Sequence, residues 1–243
     1  MGVASGKIDH QPAFVLHTTA YKETSLIVEV LTRDYGRLSV VARGARRPRA
    51  ALRGVLHPFQ PLTLGWFGKT ALKTLSQADW LGALPQLSGV GLLSGLYLNE
   101  LLLRLLPRED AHPALFADYA QAVRALGGRS AMPLSAVLRR FEWRLLQEAG
   151  YAPDVTTCAA GVPIAAGAVY RALPQSGFVL VATADPADPA EVRVSGNSLH
   201  ALAADDWLDE TVWRELRAVN RLLLAAALGP EPLTTPMLLR PCA

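Results

Sequence analysis

The chain has only two cysteines, Cys158 and Cys242, among its 243 residues. Two distant thiols make neither a disulfide framework nor a four-ligand zinc site. Such sparing use fits a reducing compartment, the cytoplasm. Histidine is equally thin: His10, His17, His57, His112 and His200 are scattered, with no histidine–carboxylate cluster at useful spacing. No Walker loop and no G-x-S-x-G occurs either. The expectation is therefore no catalysis, no metal and no cofactor. The first residues, MGVASGKIDHQPAF, lack the apolar core of a signal peptide. The most apolar run, Val90 to Leu106, is broken by Asn99, Glu100 and Arg104. It is too short and too polar to span a bilayer and reads as a buried helix, so no membrane partner is expected. There is no internal repeat.

Acid is scarce at the front of the chain. Residues 1–80 carry 11 lysines and arginines against 5 acids, and residues 81–243 carry 13 against 16. The excess is concentrated from Arg33 to Arg53, which holds seven arginines and one acid, Asp34. Guanidinium keeps its charge and presents a fixed fork of donors suited to phosphate oxygens. A cluster this dense repels itself, so it points to a polyanion partner more than to stability. A solvated basic loop is the bland alternative, and the strands on either side favour nucleic acid.

Hydrophobic residues make up 51% of the chain, ample for a core. Ala13 to Ala20, Ser25 to Thr32 and Arg37 to Ala42 read as strands, the last two a hairpin closed by RDYG with Gly36 free to take positive φ. After the loop RGARRPRAALRG come strands from Pro61 to Phe67 and from Ala71 to Trp80. Five short strands with basic connections suggest an OB-fold barrel, with an open sandwich as the competing arrangement. Beyond Leu84 the period becomes helical: one helix ends at Pro107, a second starts near Pro113 and ends at Gly127-Gly128, and a third runs from about Pro133 to Ala149. These three form the expected bundle. Residues 151–196 are irregular, with β-like pieces VYRALP, GFVLVA and EVRVSG, and a last helix is expected from Asp205 to Leu228. The class is α+β: a barrel at 1–82, a helical domain at 83–151, an irregular insert at 152–200, and at 201–243 a C-terminal helix packing on the helical domain.

Three stretches, FVLHTTAYKETSLIVEVLTRDYGRLSVVARGARRPRAALRGVLHPFQPL, SGLYLNELLLRLLP and LRRFEWRLLQEAGY, cover most of residues 12–151. Their ETS, GARR and YLNELL succession resembles the RecO family of bacterial recombination mediators. The resemblance implies an N-terminal OB-fold and a helical domain. It implies binding of single- and double-stranded DNA, and annealing of complementary strands. It also implies displacement of single-strand-binding protein (SSB) so that RecA can load, in partnership with RecR, in the cytoplasm at the nucleoid. Zinc-bearing members carry two Cys-x2-Cys pairs after the third helix; here TTCAAG keeps only Cys158, so the insert is a degenerate, zinc-finger-like region without metal.

Within that frame, Arg43, Arg46, Arg47, Arg49 and Arg53 are expected to form the DNA groove, with Arg37 in the same run and Lys22 and Lys73 as outer contacts. No base-edge code is visible, so binding should tolerate any sequence. Among Tyr21, Tyr35, Phe59, Trp66 and Phe67, Tyr35 is the best stacking candidate, while Phe59 and Phe67 are at least as well explained as core. The resemblance places the SSB C-terminal tail on the helical domain, at Arg139 or Arg140, with Phe116 or Leu138 as its apolar pocket. The alternative function is a protein-interaction scaffold, recruited to DNA by its basic loop and without annealing activity.

Overall fold

The computed structural model describes residues 6–82, 84–128, 130–182, 188 and 190–235. Cys242 and the end of the expected C-terminal segment lie outside the described residues. The chain forms two compact units, residues 1–129 with 234–243, and residues 130–233.

The first unit is built on five strands: β1 (Lys7–Tyr21), β2 (Ser25–Thr32), β3 (Gly36–Ala42), β4 (Pro61–Phe67) and β5 (Leu72–Trp80). They close into a barrel in the order β1-β2-β3-β5-β4, with β4 returning to β1 and the β3–β5 pair parallel. This is the OB-fold barrel, and closure rules out the open sandwich. A fifteen-residue β1 can border both β2 and β4 because its register shifts between Ile8 and Gln11 and again between Val15 and His17. Such bulges add the bend that a small barrel needs. Side-chain alternation fixes the register: Val28, Val30, Leu38, Val40, Ala42, Leu62 and Leu64 fill the interior. On β3 the alternate positions Arg37, Ser39 and Val41 therefore face out, and a slip of one residue would reverse the whole set. Gly36 has φ 64, and a Cβ there would lie 1.7 Å from the Asp110 carbonyl oxygen, so turn and packing both require glycine.

Two helices, α2 (Gly89–Leu105) and α3 (Pro113–Leu126), complete this unit, after a single-turn helix α1 (Ala51–Val55) inside the arginine loop. Phe14 on β1 meets the rings of Phe116 and Tyr119 on α3 at 5.5 and 5.1 Å. Asn99, buried on α2, donates to the Leu16 carbonyl at 2.8 Å and accepts from the Tyr119 hydroxyl at 2.6 Å. One amide thus joins strand to both helices, and burial pushes the Tyr119 phenol up. The Glu100 carboxylate accepts from the Thr234 and Thr235 N–H groups and the Thr235 hydroxyl. Burial raises its pKa, but these donors outweigh it and the net shift is downward.

The second unit holds α4 (Leu134–Glu148), a three-stranded sheet of β6 (Val169–Leu173), β7 (Gly177–Leu180) and β8 (Arg193–Ser195), then α5 (Gly196–Ala203) and α6 (Glu210–Leu228). The helices expected as one bundle are thus divided, with α2 and α3 in the first unit and α4 beside α6 in the second. The last helix starts later than expected. Asp205 has φ 54 and its carboxylate is held by Arg140, Arg144 and the Trp207 indole, so Asp209 caps the helix instead, accepting from Thr211 N at 2.7 Å. The residues before it form α5, capped by Ser195.

Candidate nucleic-acid interface

The β1–β2 turn and the exit of β3 meet at one end of the barrel. Tyr21 pairs with Ser25 across the turn, and Lys22 takes a left-handed conformation at φ 52. Past Ala42, Gly44 turns the chain at φ 70 and Arg47 N bonds to the Gly44 carbonyl at 3.0 Å. The Arg46 N–H donates to the Thr24 carbonyl at 2.8 Å, which staples the arginine loop to the β1–β2 turn. Ala45 is buried between these points and anchors the loop on the barrel core.

The anchored backbone sends Arg43, Arg46, Arg47, Arg49 and Arg53 outward, all exposed. Arg46 reaches the Lys22 carbonyl at 3.4 Å; among the described residues none of the five has an acidic partner. The loop and turn enclose a cleft of about 470 Å³ lined by Lys22, Arg43 and Arg47, with Tyr21, Val41 and Leu72 supplying apolar wall. Lys22 also lies 5.4 Å from the Tyr21 ring centre. Unpaired guanidiniums around an open, part-apolar cleft suit a chain of phosphates bearing stackable bases.

Two members of the expected groove, Arg37 and Lys73, already have partners within the chain. Arg37 donates through Nε and Nη2 to the Leu106 carbonyl at 3.1 and 2.9 Å and reaches Glu29 at 3.4 Å. Its pKa falls, first through burial and then through repulsion from Arg108. Lys73 is buried and pairs with Glu109 at 2.8 Å. Both side chains fasten the barrel to the segment after α2. The sequence could not reveal this, because Leu106 lies 69 positions from Arg37 and Glu109 is likewise remote in sequence from Lys73.

Aromatics are also redistributed. Tyr35 is exposed in the β2–β3 turn, edge-on to Trp66 at 5.3 Å. That turn closes the end of the β2–β3 hairpin opposite the one from which the arginine loop leaves. Phe59 is core, whereas Phe67 is 45% exposed. Phe67 pairs with cleft-lining Thr74, so the two share a face. Trp80, absent from the sequence-derived candidates, is 54% exposed and donates its indole N–H to Val55 on α1, next to the arginine loop. As the last residue of a strand it gave no pattern to single it out.

Arg139 and Arg140 diverge on α4 as adjacent helical residues must. Arg139 pairs at 2.6 Å with Glu142, which is buried and also accepts from Asn220. Arg140 grips Asp205 through two nitrogens. Leu138 is half-buried beside them on α4. Phe116 belongs to the first unit, its ring against Phe14, so the four residues expected at the SSB tail are divided between two units. Around Cys158, the Asp154 carboxylate is held by the Thr156 and Thr157 hydroxyls and the Thr156 N–H, which draw its pKa down to about 2. Among the described residues no three histidine, cysteine or acidic side chains cluster as metal ligands would. No described helix is long and apolar enough to cross a membrane.

Comparison with known proteins agrees with this architecture. Residues 8–84 match the family model described as recombination protein O N terminal, and residues 87–235 match the recombination protein O C terminal model. Among similar curated proteins, "DNA repair protein RecO" of Laribacter hongkongensis is 47% identical over 240 residues, 98% of this chain and 96% of that protein. The protein of the same name from Chromobacterium violaceum is 47% identical over 246 residues, 97% of this chain and 96% of its own. That of Ralstonia nicotianae is 42% identical, covering 97% of this chain and 85% of its own.

Proposed function

The chain belongs to the RecO family of DNA repair proteins, and from that premise we propose that it is a non-enzymatic recombination mediator working through the cleft of its barrel. It binds single- and double-stranded DNA without sequence preference and anneals complementary strands. With RecR it helps load RecA onto SSB-coated single strands at the nucleoid. The observation that carries the reading is the stapled loop, whose five arginines have no acidic partner among the described residues, beside an open cleft. Phosphate contacts there neutralise a strand without reading its base edges. Two strands with neutralised backbones approach more closely, and bases that are not gripped remain free to pair. Arg43, Arg46, Arg47, Arg49, Arg53 and Lys22 contact the backbone, with Phe67 and Trp80 preferred over Tyr35 for stacking.

The SSB tail is assigned to α4, with Leu138 as apolar contact. An incoming carboxylate competes with Asp205 for Arg140 and with Glu142 for Arg139. Asp205 is half-buried and Glu142 is buried, so Arg140 is the more readily recruited. A strand-annealing assay with purified protein alone tests the main reading. Accelerated pairing that fades with salt is expected; tight DNA binding with no acceleration would leave only a scaffold recruited to DNA.

A further inference from the structure

The outer face of β3 continues beyond the cleft. Val41 and Arg43 line the cleft, and Ser39, the next outward residue, pairs with Glu29 on β2 and with cleft-lining Leu72 on β5. At Ser39 the track meets an anion site that is already filled. The Glu29 carboxylate accepts from the Ser39 hydroxyl at 2.5 Å, from Arg108 Nη2 at 2.9 Å and from Arg37 Nη1 at 3.4 Å. Arg108 donates to the Ser39 hydroxyl as well. The site is built in graded stiffness. Arg37 is fixed by the Leu106 carbonyl, Ser39 is 5% exposed, and the Arg108 side chain is 46% exposed and reaches solvent.

Two guanidiniums and a hydroxyl around one point are a donor set for a tetrahedral oxyanion as much as for a carboxylate. The two arginines outnumber their single acid, and they repel each other. A phosphate carries more acceptor oxygens and can satisfy both forks. We propose that Arg37, Ser39 and Arg108 form a phosphate subsite continuous with the cleft, held in the free protein by Glu29 and taken over by a backbone phosphate of a bound single strand. This rests on the cleft being the DNA site. Glu29 then acts as an internal competitor. It weakens the grip on the strand, which suits a protein that must release the duplex it has formed.

Three variants test this by fluorescence anisotropy with a labelled oligo(dT) at fixed low salt: Glu29→Gln, Arg108→Met, and the two combined. Glu29→Gln keeps an acceptor for Ser39 but removes the competing charge, so affinity should rise about fivefold. Arg108→Met should lower affinity about fivefold at 0.1 M salt, the loss of one phosphate contact. The double variant should bind like Arg108→Met. A natively folded Glu29→Gln that binds no more tightly overturns the subsite, since a purely structural ion pair predicts lost stability and no gain. A gain that survives Arg108→Met also overturns it, being net charge alone. If Glu29→Gln does not fold, the exposed Arg108→Met still decides: unchanged affinity rejects the proposal. Failure of the cleft itself shows separately, as unchanged binding when Arg43 and Arg47 are replaced.

Discussion

Replacing Arg43 and Arg47 together by glutamine removes the charge of the two arginines that line the cleft while keeping a polar side chain. Both are exposed and have no acidic partner among the described residues, so the fold should not notice. Surface changes of this kind stay within about 0.5 kcal/mol. Binding should respond strongly. Each phosphate neutralised on a single strand contributes roughly −0.7 to the slope of log affinity against log salt. Losing two contacts should make that slope shallower by about 1.4. Extrapolated from 1 M, the loss at 0.1 M salt is about 25-fold, close to 2 kcal/mol. The assay is oligonucleotide anisotropy across a salt series, with circular dichroism and thermal unfolding as controls. Arg37→Gln contrasts in its effect on the fold: it breaks a part-buried pair and takes two donors from the Leu106 carbonyl, costing about 1–3 kcal/mol of stability. An unchanged slope in the natively folded double variant would refute the assignment of the cleft.

Asn99→Leu should destabilise the first unit by about 2–3 kcal/mol in urea unfolding, because the buried Leu16 carbonyl loses its side-chain donor and the Tyr119 hydroxyl loses the Asn99 acceptor; a loss below about 1 kcal/mol would mean water replaces the amide. Asp205 is raised by burial but drawn down further by Arg140, Trp207 and Arg144, so its folded pKa lies below the unfolded value of about 3.9. Its contribution is present above about pH 4 and lost as pH falls through the depressed value. Asp205→Asn should therefore flatten the acid limb of the second unit's urea midpoint, and parallel limbs would contradict this. Arg140→Ala should weaken SSB-tail peptide binding roughly tenfold or more while leaving oligonucleotide binding intact; equal losses in both would place Arg140 on a DNA path. Elemental analysis of chelator-free protein should find no stoichiometric zinc, and about one zinc per chain would show that ligands beyond Cys158 had been overlooked.

What the sequence made legible follows from period. Alternation over Val28, Val30, Leu38, Val40 and Ala42 marked the strands that line the barrel, and RDYG marked the hairpin between them. The arginine loop was visible because charge density is a local property. The β-like pieces of the insert became β6, β7 and β8 for the same reason. Pairing across the chain was not local. Arg37 and Lys73 looked like further members of a basic run, yet Leu106 and Glu109 claim them, and no window around Arg37 contains those partners. The late start of α6 was hidden likewise: Asp205 resembles a cap until Arg140, 65 positions earlier, is seen to hold it.

Backbone shape in the loop adds an argument independent of charge. Lys22 and Arg49 both adopt left-handed conformations, with φ 52 and 64. A side chain there costs about 1 kcal/mol or more relative to glycine. The chain uses glycine freely for such turns nearby, at Gly36 and Gly44. Stability alone would favour glycine at 22 and 49 as well. Neither cation recovers the cost through an ion pair with a described acid; the Lys22 ammonium lies 5.4 Å from the Tyr21 ring centre and its carbonyl accepts from Arg46. His10, Phe59, Glu109 and Asp205 share this backbone, so the strain alone marks no site; at Lys22, which lines the cleft, and at Arg49 in the arginine loop it is kept under an exposed cation, as suits a charge that acts on something outside the chain. The stapled backbone makes them effective. With Arg46 N tied to Thr24 and Ala45 seated in the barrel, this part of the loop backbone is fixed before a strand arrives, so it is chiefly the side chains that are ordered on binding.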